Sequence, residues 1–97
     1  MAGLSILIPT LNEARRLPRL LAALARWPHG AQVIVVDGGS RDRTTVVASL
    51  AGGARVSCPE RGRGQRLIRG LAAALYDWTL VLHADSRLPH RWCSAVQ

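Results

Sequence analysis

Four consecutive β-branched apolar residues, Val33-Ile34-Val35-Val36, with no polar residue between them, set the first constraint. A strand built from them has no face to give to water. The run therefore predicts a strand inside a parallel sheet covered on both sides. Leu4 to Ile8 is a second such run, ended by Pro9, and Ala54–Ser57 and Thr79–His83 read as two further short strands. The segments between them carry helical periodicity. Leu17, Leu20, Leu21 and Leu24 predict an amphipathic helix over about 13–26, with Asn12 as its N-cap and Glu13 in its first turn. Pro28 and Gly30 would end it. A second helix is predicted from Asp42 to Ala51, stopped by Gly52-Gly53, and a third from Gln65 to Leu75; Pro89 opens a last one. The order β-α-β-α-β-α-β predicts an α/β fold with a parallel sheet and right-handed crossovers. The 97 residues suffice for one small domain.

Sheets of this kind bind ligands beyond the carboxyl ends of their strands. The polar clusters fall there: Asn12 and Glu13 after the first strand, Asp37 after the second, Asp85 after the fourth. In Asp37-Gly38-Gly39-Ser40 the carboxylate is placed to accept hydrogen bonds from a nucleoside, and the glycines permit a sharp turn and a close ligand approach. The same four residues also read as a plain strand-to-helix turn with Ser40 or Asp42 as cap. Asp85, in His83-Ala84-Asp85, suits a hard divalent cation on a departing diphosphate, and equally a solvated turn. His83 reads more readily as a satisfied core histidine than as a metal ligand. The loop Arg61-Gly62-Arg63-Gly64 suits phosphate oxygens, RNA or plain solvent.

All 13 basic residues are arginine against 6 acidic ones, a net charge of +7 that favours anionic partners, although a GC-rich coding sequence gives the same pattern. Nucleic acid is not expected. Aromatics make up only 4% of the chain, too few for the stacking platforms of single-strand binders, and no helix-turn-helix is apparent. Neither a dinucleotide-binding glycine fingerprint nor a phosphate-binding loop ending in Gly-Lys-Ser/Thr is present, and no zinc spacing or serine–histidine–aspartate arrangement stands out. Cys58 and Cys93 read as small hydrophobes in a reducing, cytoplasmic setting, with a peripheral place at the inner face of the membrane left open. No leader sequence or membrane-spanning run is visible.

Three strings together resemble family 2 glycosyltransferases. They are Leu4-Ser5-Ile6-Leu7-Ile8-Pro9-Thr10-Leu11-Asn12-Glu13, Val35-Val36-Asp37-Gly38-Gly39-Ser40-Arg41-Asp42-Arg43-Thr44, and Leu80-Val81-Leu82-His83-Ala84-Asp85-Ser86-Arg87-Leu88-Pro89. In the last, His-Ala-Asp stands where the family has a D-x-D-like metal motif. The set, with the glycine–arginine loop, is most similar to the bacterial transferase 2 subgroup associated with radical SAM/selenodomain proteins. The resemblance implies a GT-A fold and transfer of a sugar from a UDP- or GDP-linked donor to an acceptor it does not identify, usually with inversion. It implies that Pro9, Thr10, Asn12, Glu13, Asp37, Gly38, Gly39 and Arg63 bind the nucleotide sugar. It further implies that Asp85 holds Mg2+ or Mn2+ on the diphosphate.

Two departures accompany it. Similar proteins carry Gln and Asn where this chain has Arg66 and Ile68, and a Gly-Asp pair where it has Tyr76-Asp77. The family's catalytic base is expected beyond Gln97, so no residue here is assigned that role. Residues 1–97 then read as the N-terminal, donor-binding part of a glycosyltransferase domain, truncated after the metal motif and without the acceptor half. A catalytically incomplete nucleotide-binding or partner-docking module is the alternative. A sheet that stops there leaves the fourth strand as an edge, and self-association is expected through it.

Overall fold

The computed structural model describes residues 4–26, 31–50, 54–57, 63–75 and 78–86. The elements are β1 (Leu4–Thr10), α1 (Leu17–Leu24), β2 (Gln32–Asp37), α2 (Thr44–Leu50), β3 (Ala54–Ser57), α3 (Arg63–Ala73) and β4 (Trp78–Val81). All strand pairs are parallel, in the order β3-β2-β1-β4. The expected alternation and parallel sheet are therefore both present.

Alternation along β1 decides which helix covers which face. Leu4, Ile6 and Ile8 pack with Leu17, Leu20, Leu21 and Leu24 of α1 and Ala48 of α2. Leu7, between them, turns to the other face and clusters with Ile34 and Val36, where Ala73 and Ala74 at the end of α3 close over them. The chain runs outward from β1 through β2 to β3, then returns across the sheet to lay β4 on β1's other side. A crossover that keeps its hand while reversing direction must use the opposite face. This puts α3 opposite α1 and α2 and makes the β1–β4 gap the topological switch point.

Two details hold α3 close. A Cβ on Gly70 would lie 2.0 Å from Leu7 Cδ2 and 2.8 Å from Val36 Cγ2, so only glycine lets the helix approach this near. Gln32 bridges β2 to its neighbours: its Oε1 accepts from the buried Ser5 hydroxyl (2.8 Å) and from Leu75 N (2.9 Å), and its Nε2 donates to the Ala73 carbonyl (3.1 Å).

The helix ends differ from the sequence reading. The first helix begins at Leu17, and Arg16 rather than Asn12 holds the N-cap position, without a side-chain cap bond. Pro18 is the reason: it has no N–H to donate back toward residue 14, so regular helix can start only with the proline in its first turn. The chain enters through a turn in which the Glu13 carbonyl accepts from Arg16 N and Leu17 N. Helix α2 starts two residues after the expected Asp42. Helix α3 starts two residues before the expected Gln65. Strand β4 ends at Val81, so His83 lies outside the strand and is exposed, which overturns its reading as a core histidine. The expected last helix from Pro89 lies outside the described residues.

Candidate functional site

At the carboxyl ends of β1 and β2, Thr10 and Asp37 are register partners. The Asp37 carboxylate is buried, and four donors converge on it. Oδ1 accepts from the Thr10 hydroxyl (3.1 Å) and the Ser40 hydroxyl; Oδ2 accepts from Gly39 N (3.0 Å) and Ser40 N (2.8 Å). A carboxylate offers about four acceptor positions, so Asp37 is fully engaged by its own turn. Burial pushes its pKa up, but the Ser40 bonds, followed by those from Gly39 and Thr10, together outweigh burial and hold it below the ordinary value. Gly39 adopts φ +97°, a conformation that gives its N–H to the carboxylate and that side-chain-bearing residues rarely take.

The same turn is tied to the loop after β1. Gly38 N donates to the Thr10 carbonyl (2.9 Å), and Asn12 N donates to the Ser40 hydroxyl (2.9 Å). Asn12 is itself left-handed (φ 55°), a state asparagine tolerates, and its Oδ1 accepts from Arg41 N at 2.8 Å. Glu13 N donates to the Thr44 hydroxyl (2.8 Å), and Ala14 N to Asp42 Oδ2 (3.2 Å). Asp42 Oδ1 accepts from Thr44 N (2.9 Å) and the Thr44 hydroxyl, and the hydroxyl bond is the main cause that lowers its pKa. Asp42 therefore orders the start of α2, whereas Ser40 braces the Asp37 turn.

Across the switch point the arrangement is sparse. Leu82 N donates to the Leu7 carbonyl (2.9 Å), after which the chain leaves the sheet. Ser86 closes a small turn on His83: its hydroxyl accepts from His83 N (3.1 Å) and its N–H donates to the His83 carbonyl (2.9 Å). Ala84 is buried beneath this turn, and Asp85 is exposed at its tip.

Between the two halves lies a cavity of about 300 Å3 lined by Pro9, Leu11, Glu13, Arg66, His83, Ala84 and Asp85. A second cavity, about 240 Å3, sets Arg15, Arg16 and Arg19 against Ala84, Asp85 and Ser86. The structure thus brings Pro9, Glu13 and Asp85 together at the switch point. Thr10, Asp37, Gly38 and Gly39 form the adjoining turn, to which Asn12 is tied. Arg63 opens α3, but its side chain lies outside the described residues, as do Arg61 and Gly62.

The sequence reading missed the three α1-side arginines that face Asp85 and gave Arg66 only as a departure. The spacing of Arg15, Arg16 and Arg19 was visible, but the neighbour that gives it meaning is 66 or more residues away in sequence. Among the described residues no three His, Cys, Asp or Glu side chains come together as a metal cage. A cation carried on a nucleotide takes most of its ligands from phosphates and water, so the lone exposed carboxylate of Asp85 fits that role.

Comparison with known proteins agrees with this geometry. The model of the glycosyl transferase family 2 matches residues 5–97. An uncharacterized glycosyltransferase of Mycobacterium bovis is 37% identical over 90 residues, covering 91% of this chain and 40% of its own length. A PGL/p-HBAD biosynthesis glycosyltransferase of the same species is 37% identical over 91 residues, covering 87% and 36%. The chain thus spans about two fifths of the curated relatives it matches. Glucosyl-3-phosphoglycerate synthase of Mycobacterium tuberculosis, solved with UDP, superposes with a TM-score of 0.80 at 29% identity over 92% of this chain and 36% of that one. The same enzyme with Mn2+, UDP and glucosyl-3-phosphoglycerate gives 0.77 at 28% identity over 86% and 33%. The GT-A fold expected from the sequence is the fold observed.

Proposed function

This chain belongs to glycosyl transferase family 2, and from that footing we propose that it binds the nucleotide-diphosphate end of a sugar donor at the β1–β4 switch point. The observation that carries the reading is the position of Asp85. An exposed carboxylate stands at the carboxyl end of β4 in the cavity that Pro9 and Glu13 line from β1. The braced turn beside it, Thr10 to Ser40, forms the nucleoside side of the site. Asp37 orders that turn and meets a nucleoside only by releasing one of its four bonds. Asp85 would hold Mg2+ or Mn2+, which supplies positive charge to the departing diphosphate. Glucosyl-3-phosphoglycerate synthase, solved with UDP and either Mn2+ or Mg2+, supports this choice of cation and favours UDP over GDP as the first donor to try.

Sugar transfer itself is proposed for the whole protein, with residues 1–97 as its donor-binding part. The acceptor and the base that would deprotonate its hydroxyl are left unassigned, and a donor-binding module without catalysis is the alternative. We place the reaction in the cytoplasm, in keeping with the cysteine usage of the sequence. Among the described residues, no helix is long and apolar enough to cross a membrane. Self-association is proposed through β4, an edge strand among the described residues, where Trp78 and Val81 are exposed; a monomer by light scattering at high concentration would remove it.

The test is thermal unfolding with UDP, with Mn2+, and with both. Ligand that binds only the folded chain stabilises it by roughly 2.7 kcal/mol at a hundred times its dissociation constant. A rise in Tm with UDP that grows in the presence of Mn2+ and is smaller for Asp85→Ala is expected. An unchanged Tm in every mixture would overturn the reading.

A further inference from the structure

Arg66 projects from α3 over the turn that follows β2, and its Nε is buried without a hydrogen-bond partner among the described residues. A desolvated guanidinium edge left unmatched is costly in a folded chain, which marks a place where a ligand completes the bonding. Room has been made for it. A Cβ on Gly38 would stand 2.8 Å from Arg66 Nη1 and 3.3 Å from its Cδ, so the glycine lets the arginine stem lie against the turn. Glu13 lines the same cavity but gives its carboxylate to Arg16 (3.2 Å). Among the described residues Arg66 is the one arginine in that lining, against the two carboxylates of Glu13 and Asp85.

We propose that Arg66 grips the diphosphate of the donor nucleotide, its guanidinium edge donating to phosphate oxygens across the cavity from Asp85. This rests on the donor-site reading above and adds a specificity-determining residue to it. The arginine that departs from the glutamine of similar proteins is then a gain of phosphate contact. Guanidinium suits this chemistry because it is permanently charged and donates in a planar fork. Glutamine in its place keeps a donor but not the charge. Lysine keeps the charge but loses the fork. Alanine at position 38 leaves Arg66 in place and pushes only its flexible end aside.

The experiment is calorimetric titration of UDP, UMP and uridine, with Mn2+ present, into the chain and into Arg66→Gln, Arg66→Lys and Gly38→Ala, each checked for unchanged circular dichroism. Arg66→Gln should weaken UDP about ten- to a hundredfold, the scale of a lost charged hydrogen bond, and leave uridine within about twofold. Arg66→Lys and Gly38→Ala should fall between. An equal loss for uridine would show that Arg66 contacts the base or holds the fold, and would overturn the proposal. So would undiminished UDP affinity in Arg66→Gln. If the unaltered chain binds uridine and UDP equally, the diphosphate grip is wrong and a nucleoside site survives. If it binds neither, the donor-site reading fails and the Arg66 proposal with it.

Discussion

The two halves of the cleft are built differently. On the β2 side, side chains and backbone are stitched into a closed network in which the Asp37 carboxylate accepts four hydrogen bonds. Asn12, Ser40, Asp42 and Thr44 extend that network across both loops. On the β4 side, Asp85 and His83 are exposed and, among the described residues, only Ser86 ties their turn together. Arg66, reaching over from α3, leaves its Nε unsatisfied. One half has spent its polar groups on its own shape; the other has kept them for something else. Polar residues at strand ends are therefore not equivalent, and the hydrogen-bond partners decide which of them are available to a ligand.

Substitutions can break this contrast. The largest effect should come from beneath both halves. Leu7 is fully buried against Gly70 and Val36, and Leu7→Ala should cost about 2–5 kcal/mol in urea denaturation. Asp37→Ala should come next, at about 2–3 kcal/mol, because it strands several donors at once. A cost below about 0.5 kcal/mol would mean that the network does not hold the turn. Thr10→Val, which removes one donor to Asp37, should cost about 1 kcal/mol.

Acid titration sharpens the same point. Asp37 has a folded pKa below its ordinary 3.8, so its contribution is complete above that value and is lost as pH falls through the depressed one. Asp37→Asn should remove this component from the low-pH stability profile. The smallest expected effect is Asp85→Ala, within about 0.5 kcal/mol of the parent chain, as for an exposed group that makes no hydrogen bond among the described residues.

The same contrast explains what the sequence disclosed. The sheet and its order of elements were legible because unbroken apolar runs such as Val33–Val36 have one stable home. The polar end of the sheet was legible because Asp37 and Asp85 both follow such runs. The first helix's start was not, since Asn12 and Glu13 look like a cap until Pro18 is given its due. The status of His83 depended on where β4 stops. The division of labour between Asp37 and Asp85 was hidden for a deeper reason. Each is an aspartate after a strand, and only the fold shows that Thr10 and Ser40 converge on one, whereas Ser86 beside the other bonds only the backbone of His83. The place of Arg66 was hidden likewise, because Gly38 and Asp85, which share its surroundings, are distant in sequence.

The most direct measurement is calorimetric binding of UDP with and without Mn2+ to the parent chain, Asp85→Ala and Asp85→Asn, alongside their urea unfolding curves. The account predicts UDP binding that Mn2+ strengthens and that both substitutions weaken toward the metal-free level, with unfolding curves that overlay. UDP binding that is indifferent to Mn2+ and to Asp85, in chains equally well folded, would contradict it.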